Sequence, residues 1–191
     1  MDGDLEILSF ESAEAFEAWL SDQHATSAGI WLKLRRKGAG IVSLDYAQAL
    51  EVALCYGWID GQKGTFDEEH WLQRLTPRRP SSRWSKINRD KAEALIAQGR
   101  MRPAGLAEVE RAQADGRWQA AYDGARTSSV PDDLVAALAA NRAAAEFFER
   151  LDRQNRFAIL YRIQDAKRPA TRARRIETFV AMLAEGKTLH P

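Results

Sequence analysis

The chain contains a single cysteine, Cys55, and only three histidines, which limits the chemistry that it can carry. One cysteine excludes an internal disulfide, as is usual for proteins of a reducing compartment. His24, His70 and His190 are too far apart to show the ligand spacing of a metal site. A phosphate-loop or dinucleotide-binding fingerprint is also lacking. The sequence therefore predicts neither a bound metal nor a cofactor.

Long apolar runs and a strong net charge are lacking too. No segment approaches the roughly 20 apolar residues that span a bilayer, and the acidic N-terminus does not resemble a secretory signal. The formal net charge of +1 gives no overall attraction to nucleic acid or acidic membranes. We therefore expect a soluble, cytoplasmic protein without a membrane span. Its oligomeric state is left open by the sequence.

What is present is the composition of an ordinary globular protein, with 45% hydrophobic and 29% charged residues in a chain of 191. Alternating apolar and polar side chains predict a half-buried strand over residues 30–35. Further strands are predicted at 5–10, 58–60 and 70–75, with a loop over 61–69 between the last two. Helices packed on a small, mostly antiparallel sheet are the expected arrangement.

Helix start signals mark the rest of the N-terminal part. Ser12 and Ser43 are the predicted N-caps of its first two helices. Ser85 or Asn88 is expected to cap a third helix, and Pro103 fits the first turn of a fourth. These elements make an N-terminal α+β domain over residues 1–117.

Beyond Pro80 the strand patterns nearly disappear. Residues 118–129 are polar and contain glycine, which predicts a linker. Asn141, Asp152 and Pro169 then mark the starts of successive amphipathic helices. The predicted fold class is α+β, in which an all-α helical module over residues 130–191 follows the sheet-containing domain.

The most informative segment is basic and spans residues 74–102, where nine basic and two acidic residues give a local charge of +7. Arginine binds carboxylate or phosphate bidentately, two prolines stiffen the chain, and the segment leads into a helix N-terminus that favours anions. The predicted ligand-binding residues are Arg78, Arg79, Arg83, Trp84, Ser85, Lys86 and Asn88. The same pattern is also typical of a solvated loop with Trp84 packed in the core, so both interpretations stay open.

A second candidate feature is the stretch from Cys55 to Gln62. Asp60 is a weak candidate for a general base, and a structural salt bridge to Arg78, Arg79 or Arg83 of the basic segment is the favoured role. Cys55 would need a base such as His70 to act as a nucleophile, and a lone cysteine on an apolar helix is more typically buried and inert.

A second basic cluster lies in the C-terminal module. Nine basic and two acidic residues between Arg150 and Arg175 again give a local charge of +7. The arginines are spaced around the helices and do not form one stripe, which is typical of solvated helix surfaces. If both clusters met in one groove, an anionic polymer or an acidic partner would fit.

The motifs at residues 53–61, 73–80 and 84–88 resemble the YdeI/OmpD-associated family. The C-terminal motifs, at residues 130–134, 166–169 and 171–176, resemble the helical OmdA-type domain of that family. The resemblance implies a bacteriocin-protection or antimicrobial-peptide-resistance protein and an association with an outer-membrane porin for one member. It implies no catalytic residues.

Three hypotheses of function follow from the sequence. The first is a non-enzymatic stress or peptide-resistance protein that binds an anionic small molecule or an acidic protein partner through the basic segment. The second is an enzyme for a small phosphorylated or carboxylated substrate, with Asp60 as general base. The third is nucleic-acid binding, which the near-neutral total charge disfavours.

Overall fold

The computed structural model describes residues 5–36 and 44–191, and within them the chain forms four strands and eight helices. It divides into two compact units. The first comprises the described residues as far as Trp84 together with 88–121, and the second comprises 85–87 and 122–191. All four strands lie in the first unit, which confirms the predicted α+β class. The predicted domain and linker boundaries stay a prediction.

The elements of the N-terminal part alternate before the helices take over. In chain order they are β1 (Ile7–Leu8), α1 (Ala13–Gln23), β2 (Ile30–Arg35), α2 (Tyr46–Cys55), β3 (Trp58–Thr65), β4 (His70–Pro77), α3 (Lys86–Ala97) and α4 (Pro103–Ala114). The C-terminal helices are α5 (Asp132–Ala139), α6 (Arg142–Glu149), α7 (Arg153–Gln164) and α8 (Pro169–Ala184). No helix in the described part of the chain is both long enough and apolar enough to cross a membrane.

The four strands form one mixed sheet in the order β1-β2-β4-β3. β1 runs parallel to β2, and both other pairings are antiparallel, as the sequence predicts. In β2 the side chains of Ile30, Leu32 and Leu34 are buried, whereas the residues between them are half-buried. The alternation in the sequence therefore identifies the face of the sheet that carries the core.

The hairpin is longer than predicted. The predicted first strand ended at Asp60, with a loop over 61–69, but β3 continues to Thr65 and leaves only 66–69 as the connection. A register shift between Asp60 and Lys63 accommodates the glycine-containing stretch. The buried Gln73 donates from Nε2 to the carbonyls of Gly61 and Gln62, at 3.0 and 3.3 Å, so these groups stay satisfied within the strand.

The predicted helix caps are largely confirmed. Ser12, Asn141 and Asp152 each accept a hydrogen bond from a backbone N–H in the first turn of their helix. Ser43 lies outside the described residues, and α2 is instead capped by Asp45, which forms a reciprocal capping box with Gln48.

The end of α2 is fixed by a glycine. Gly57 adopts φ of 74°, a left-handed conformation that lets the chain turn directly from α2 into β3.

α3 begins at Lys86, so Ser85 directly precedes it and Asn88 lies inside its first turn.

Each unit has its own hydrophobic core. The first core packs α1, α2 and the sheet around Phe16, Leu20 and Trp58, and it extends to Trp118 and Ala121. The second core is formed by buried side chains of all four C-terminal helices, which include Leu134, Phe148, Ile159, Ile163, Phe179 and Leu183. Burial of these apolar surfaces is the main stabilising contribution in each unit.

Candidate functional site

Residues 78–83 form a closed turn, here called the basic turn. The N–H of Ser82 donates to the carbonyl of Arg79 at 2.9 Å, and the N–H of Arg79 donates to Ser82 Oγ at 2.9 Å. Pro80 occupies the second position, where its fixed φ favours a tight turn. The turn is therefore held by local hydrogen bonds as well as by proline.

Arg78 supports the basic turn from inside the protein. Only 5% of its surface is exposed, and its guanidinium carbon lies 3.5 Å from the centroid of the Trp84 ring. Nη1 donates to the carbonyl of Arg83 at 3.2 Å, and the backbone N–H donates to the carbonyl of Gly57 at 3.0 Å. Arg78 thus connects both ends of the turn to the core.

Trp84 is a core residue that stacks on an arginine. It is 1% exposed, and its ring packs edge-on against Trp118 at a centroid distance of 4.8 Å. A ring with so little exposed surface is not accessible to a ligand. Of the two interpretations left open by the sequence, the structure places Trp84 in the core.

The basic turn is also stabilised by Arg117, a residue that the sequence analysis did not single out. Arg117 donates from Nη1 to the carbonyl of Ser82 at 2.6 Å, and its Nε lies 2.7 Å from Asp115 Oδ2. Since 35 residues separate Arg117 from Ser82, no local motif could have revealed this contact. The basic turn is consequently fixed from two sides.

The surface of the basic turn consists of the exposed Arg79, Pro80 and Ser81, next to the half-buried Arg83. Arg79 and Arg83 are therefore the two predicted ligand-binding arginines that lie at the surface of the turn. Ser85 and Lys86 make their contacts elsewhere: Lys86 Nζ lies 2.7 Å from Asp123 Oδ1, and Ser85 forms an isolated bridge with Tyr122.

The high local charge of the basic segment is reduced by carboxylates that lie close in space. Glu51 pairs with Lys91 and Arg100, at 3.6 and 3.0 Å, and Glu17 pairs with Arg102 at 2.6 Å. Counting charges along the sequence misses these partners because they come from α1 and α2. The surface charge of the basic segment is therefore smaller than the +7 that is counted along the sequence.

Asp60 and Asn88 meet in a polar cluster with Tyr46. The Tyr46 hydroxyl donates to Asp60 Oδ2 at 2.8 Å, and Asn88 Nδ2 donates to Asp60 Oδ1 at 3.3 Å. Burial, together with the charge of Asp60, raises the pKa of Tyr46 well above its usual range, so the phenol remains a donor. Both oxygens of the half-buried carboxylate are thus engaged by neutral donors.

Cys55 and His70 do not form a nucleophile and base pair. Burial raises the pKa of the Cys55 thiol, which is 3% exposed, and this keeps the sulfur protonated. His70 Nδ1 instead lies 2.9 Å from Asp67 Oδ1 at the hairpin connection. Among the described residues no group of three histidine, cysteine or acidic side chains has a metal-binding arrangement.

The C-terminal arginines mostly brace helices. Arg172 of α8 pairs with Asp133 at the start of α5 at 2.5 Å, and Arg175 pairs with Asp165 at 3.4 Å. The hydrogen bond from Arg172 holds the pKa of Asp133 below its usual range. Arg156 stacks over the ring of Phe148, with its guanidinium carbon 4.4 Å from the centroid.

Comparison with protein families divides the chain into two matched regions. Residues 8–108 match the model described as Domain of unknown function (DUF8412). Residues 127–186 match OmdA, described as Bacteriocin-protection, YdeI or OmpD-Associated, which confirms the resemblance seen in the C-terminal motifs. No curated protein and no solved structure matches the chain. The OmdA match fits a protection-type protein. Because the first model covers more than half of the chain, the protein belongs to the DUF8412 domain family, and it carries an OmdA domain in its C-terminal part.

Proposed function

We propose that this protein is a non-enzymatic binding protein of the protection type, which recognises the carboxylate or phosphate oxygens of an anionic ligand or acidic partner through the basic turn. The observation that carries the proposal is the double bracing of that turn by Arg78 and Arg117. A turn that is already ordered loses little conformational entropy on binding, so the exposed Arg79 can bind an anion at lower cost.

The braced turn assigns different roles to neighbouring arginines. Arg79 is the outward contact, because its side chain is exposed at the tip of the turn. Arg78 and Trp84 are supports, because both are buried and stacked on each other. Arginine in a fixed position is suited to bidentate recognition of carboxylate and phosphate.

The enzyme hypothesis gains no support from the polar cluster. A general base must direct a lone pair at the substrate proton, whereas each oxygen of Asp60 already accepts a hydrogen bond from a side chain of the fold, one from Tyr46 and one from Asn88. Its place in the cluster fits a structural role that connects β3 to α2 and α3.

Binding can be tested by calorimetric titration of the protein with hexaglutamate and with inorganic phosphate at low salt. We expect saturable binding that Arg79→Ala weakens about tenfold, the order of one charge-assisted hydrogen bond. The matched control is Arg126→Ala, another exposed arginine, which should bind as the wild type does.

Two outcomes would overturn the proposal. One is equal binding by the wild type and Arg79→Ala. The other is a preference for duplex DNA whose affinity falls steeply between about 50 and 200 mM salt, which would show that the protein binds nucleic acid.

A further inference from the structure

A cleft on the N-terminal unit, away from the basic turn, is lined by Arg36, Lys63, Gly64, Thr65 and Trp71. Its volume is about 500 Å³, which is within the range that small-molecule sites occupy. Two of its five lining residues are cationic, and one is a half-buried aromatic residue.

The sheet geometry brings these residues to one place. Lys63 and Thr65 are two positions apart on β3, so their side chains point to the same face. Trp71 lies directly opposite Thr65 in the β3–β4 register. Arg36 follows the last residue of β2, at the point where Arg35 pairs with His70.

The Lys63 ammonium group is held in place by two aromatic rings. It lies 4.8 Å from the centroid of the Trp71 ring and 5.5 Å from that of Tyr46. The Tyr46 ring is in turn fixed by its hydrogen bond to Asp60. An exposed lysine is usually free to rotate, but these contacts restrict Lys63 and direct its charge at the cleft.

The cations of the cleft differ from those of the basic segment in their partners. Among residues 5–36 and 44–191, neither Arg36 nor Lys63 forms an ion pair, whereas Arg100 and Arg102 are paired with carboxylates. Two positive charges that line one cleft, with no carboxylate partner in the described part of the chain, repel each other, and an anion between them relieves that repulsion.

We infer that the cleft of Arg36, Lys63, Thr65 and Trp71 binds a small anion that carries a planar ring. The carboxylate or phosphate of the ligand accepts hydrogen bonds from Lys63, Arg36 and the Thr65 hydroxyl. The ring of the ligand packs against the exposed part of the Trp71 indole. This site shares no residue with the basic turn and does not depend on the function proposed above.

Phenyl phosphate combines both features of the inferred ligand and is therefore the probe for a calorimetric titration. We expect phenyl phosphate to bind in the cleft more tightly than inorganic phosphate does, because inorganic phosphate lacks the ring. Lys63→Gln should weaken phenyl phosphate binding about tenfold or more, the order of a lost charge-assisted hydrogen bond. Because Lys63 is exposed, the substitution leaves the core intact.

A matched control is available on β2. Lys33 also lies over an aromatic ring, 5.0 Å from the centroid of Phe66, but it does not line the cleft. Lys33→Gln should therefore bind phenyl phosphate as the wild type does.

An independent measurement is the NMR resonance of the Trp71 indole N–H, which is assigned by its absence from the spectrum of Trp71→Phe. In the wild-type protein this resonance should shift when phenyl phosphate is added. The inference is overturned if the wild type shows no saturable binding, or if Lys63→Gln binds with wild-type affinity. Tighter binding of benzylamine than of phenyl phosphate would also overturn it, because a cation would then be the preferred ligand.

Discussion

At the scale of single residues, two adjacent arginines of the basic turn have opposite environments. Arg78 is 5% exposed and stacked on Trp84, whereas Arg79 is exposed at the tip of the turn. A buried guanidinium that keeps a ring contact and a carbonyl acceptor stabilises the fold around it, because removing it leaves those groups without a partner.

We expect Arg78→Ala to lower the free energy of unfolding of the first unit by about 2 kcal/mol or more, since a desolvated cation–π contact and a buried hydrogen bond are both lost. The measurement is urea unfolding followed by tryptophan fluorescence. Arg79→Ala is the matched control and should change stability by less than about 0.5 kcal/mol. Equal effects of the two substitutions would contradict the assigned roles.

The sequence identified the basic segment but could not distinguish the roles of Arg78 and Arg79. Arg78 and Arg79 have the same side chain and are both next to a proline, Pro77 and Pro80 respectively. What separates them is the position of Trp84 and the carbonyl of Gly57, which are fixed by the tertiary structure. For the same reason the partners of Asp60, which are Tyr46 and Asn88, could not be predicted.

At the scale of elements, α2 and α4 approach each other closely at a glycine. A Cβ atom built on Gly105 would lie 2.3 Å from the carbonyl oxygen of Cys55. That distance is far shorter than a van der Waals contact, and the obstructing atom belongs to the backbone at the end of α2. Only glycine therefore allows this approach of the two helices.

We expect Gly105→Ala to destabilise the protein by about 1–3 kcal/mol, because overpacking outweighs the gain of about 1 kcal/mol in helix propensity. Chemical unfolding of the purified variant measures the change. Gly61→Ala is the same substitution at a position where the nearest atoms are 3.8 Å from the added Cβ, and it should be nearly neutral. A stabilised Gly105→Ala variant would disprove the close packing.

The pairing of α5 with α8 should depend on pH. Arg172 holds the pKa of Asp133 below its usual range, so the carboxylate binds a proton less readily in the folded state than in the unfolded chain. The stabilisation by this pair is present above the ordinary aspartate pKa of about 3.9 and is lost as the pH falls through the lower folded-state value.

Asp133→Asn should therefore make thermal stability less sensitive to acid, by no more than about 1 kcal/mol for a pair that is partly exposed. Melting curves by circular dichroism at neutral and acidic pH provide the test, with Asp132→Asn as control. The same acid sensitivity in wild type and Asp133→Asn would show that the pair contributes nothing.

Local signals predicted the elements better than their lengths. Capping side chains such as Ser12, Asn141 and Asp152 act within one turn of helix, so the sequence alone identifies them. The extension of β3 to Thr65 depends instead on Gln73, which satisfies backbone carbonyls across the hairpin. A contact of that kind is invisible until the strands are paired.

At the scale of the whole molecule, the two units differ in their aromatic residues. All six tryptophans lie within the first unit, at positions 19, 31, 58, 71, 84 and 118. The second unit contains none and is entirely helical apart from its connections. Tryptophan fluorescence therefore reports on the first unit, whereas helical circular dichroism reports on both.

The two hydrophobic cores share no buried residue, and each unit buries large side chains of its own. We therefore expect the units to unfold in separate transitions. Phe148→Ala, which removes a side chain that is 1% exposed, should destabilise the second unit by about 3–5 kcal/mol. The dichroism transition should then begin at lower denaturant while the tryptophan transition stays in place.

Leu20→Ala provides the reciprocal experiment, because Leu20 is fully buried in the first core. It should shift the tryptophan transition by about 2–5 kcal/mol and leave the remaining helical signal of the second unit unchanged. If either substitution moved both transitions together, the chain would unfold as one cooperative body. If the transitions are separate, a ligand of the basic turn should stabilise only the first unit, whose unfolding is followed by tryptophan fluorescence. The transition that shifts when an anion is added then identifies the unit that binds it.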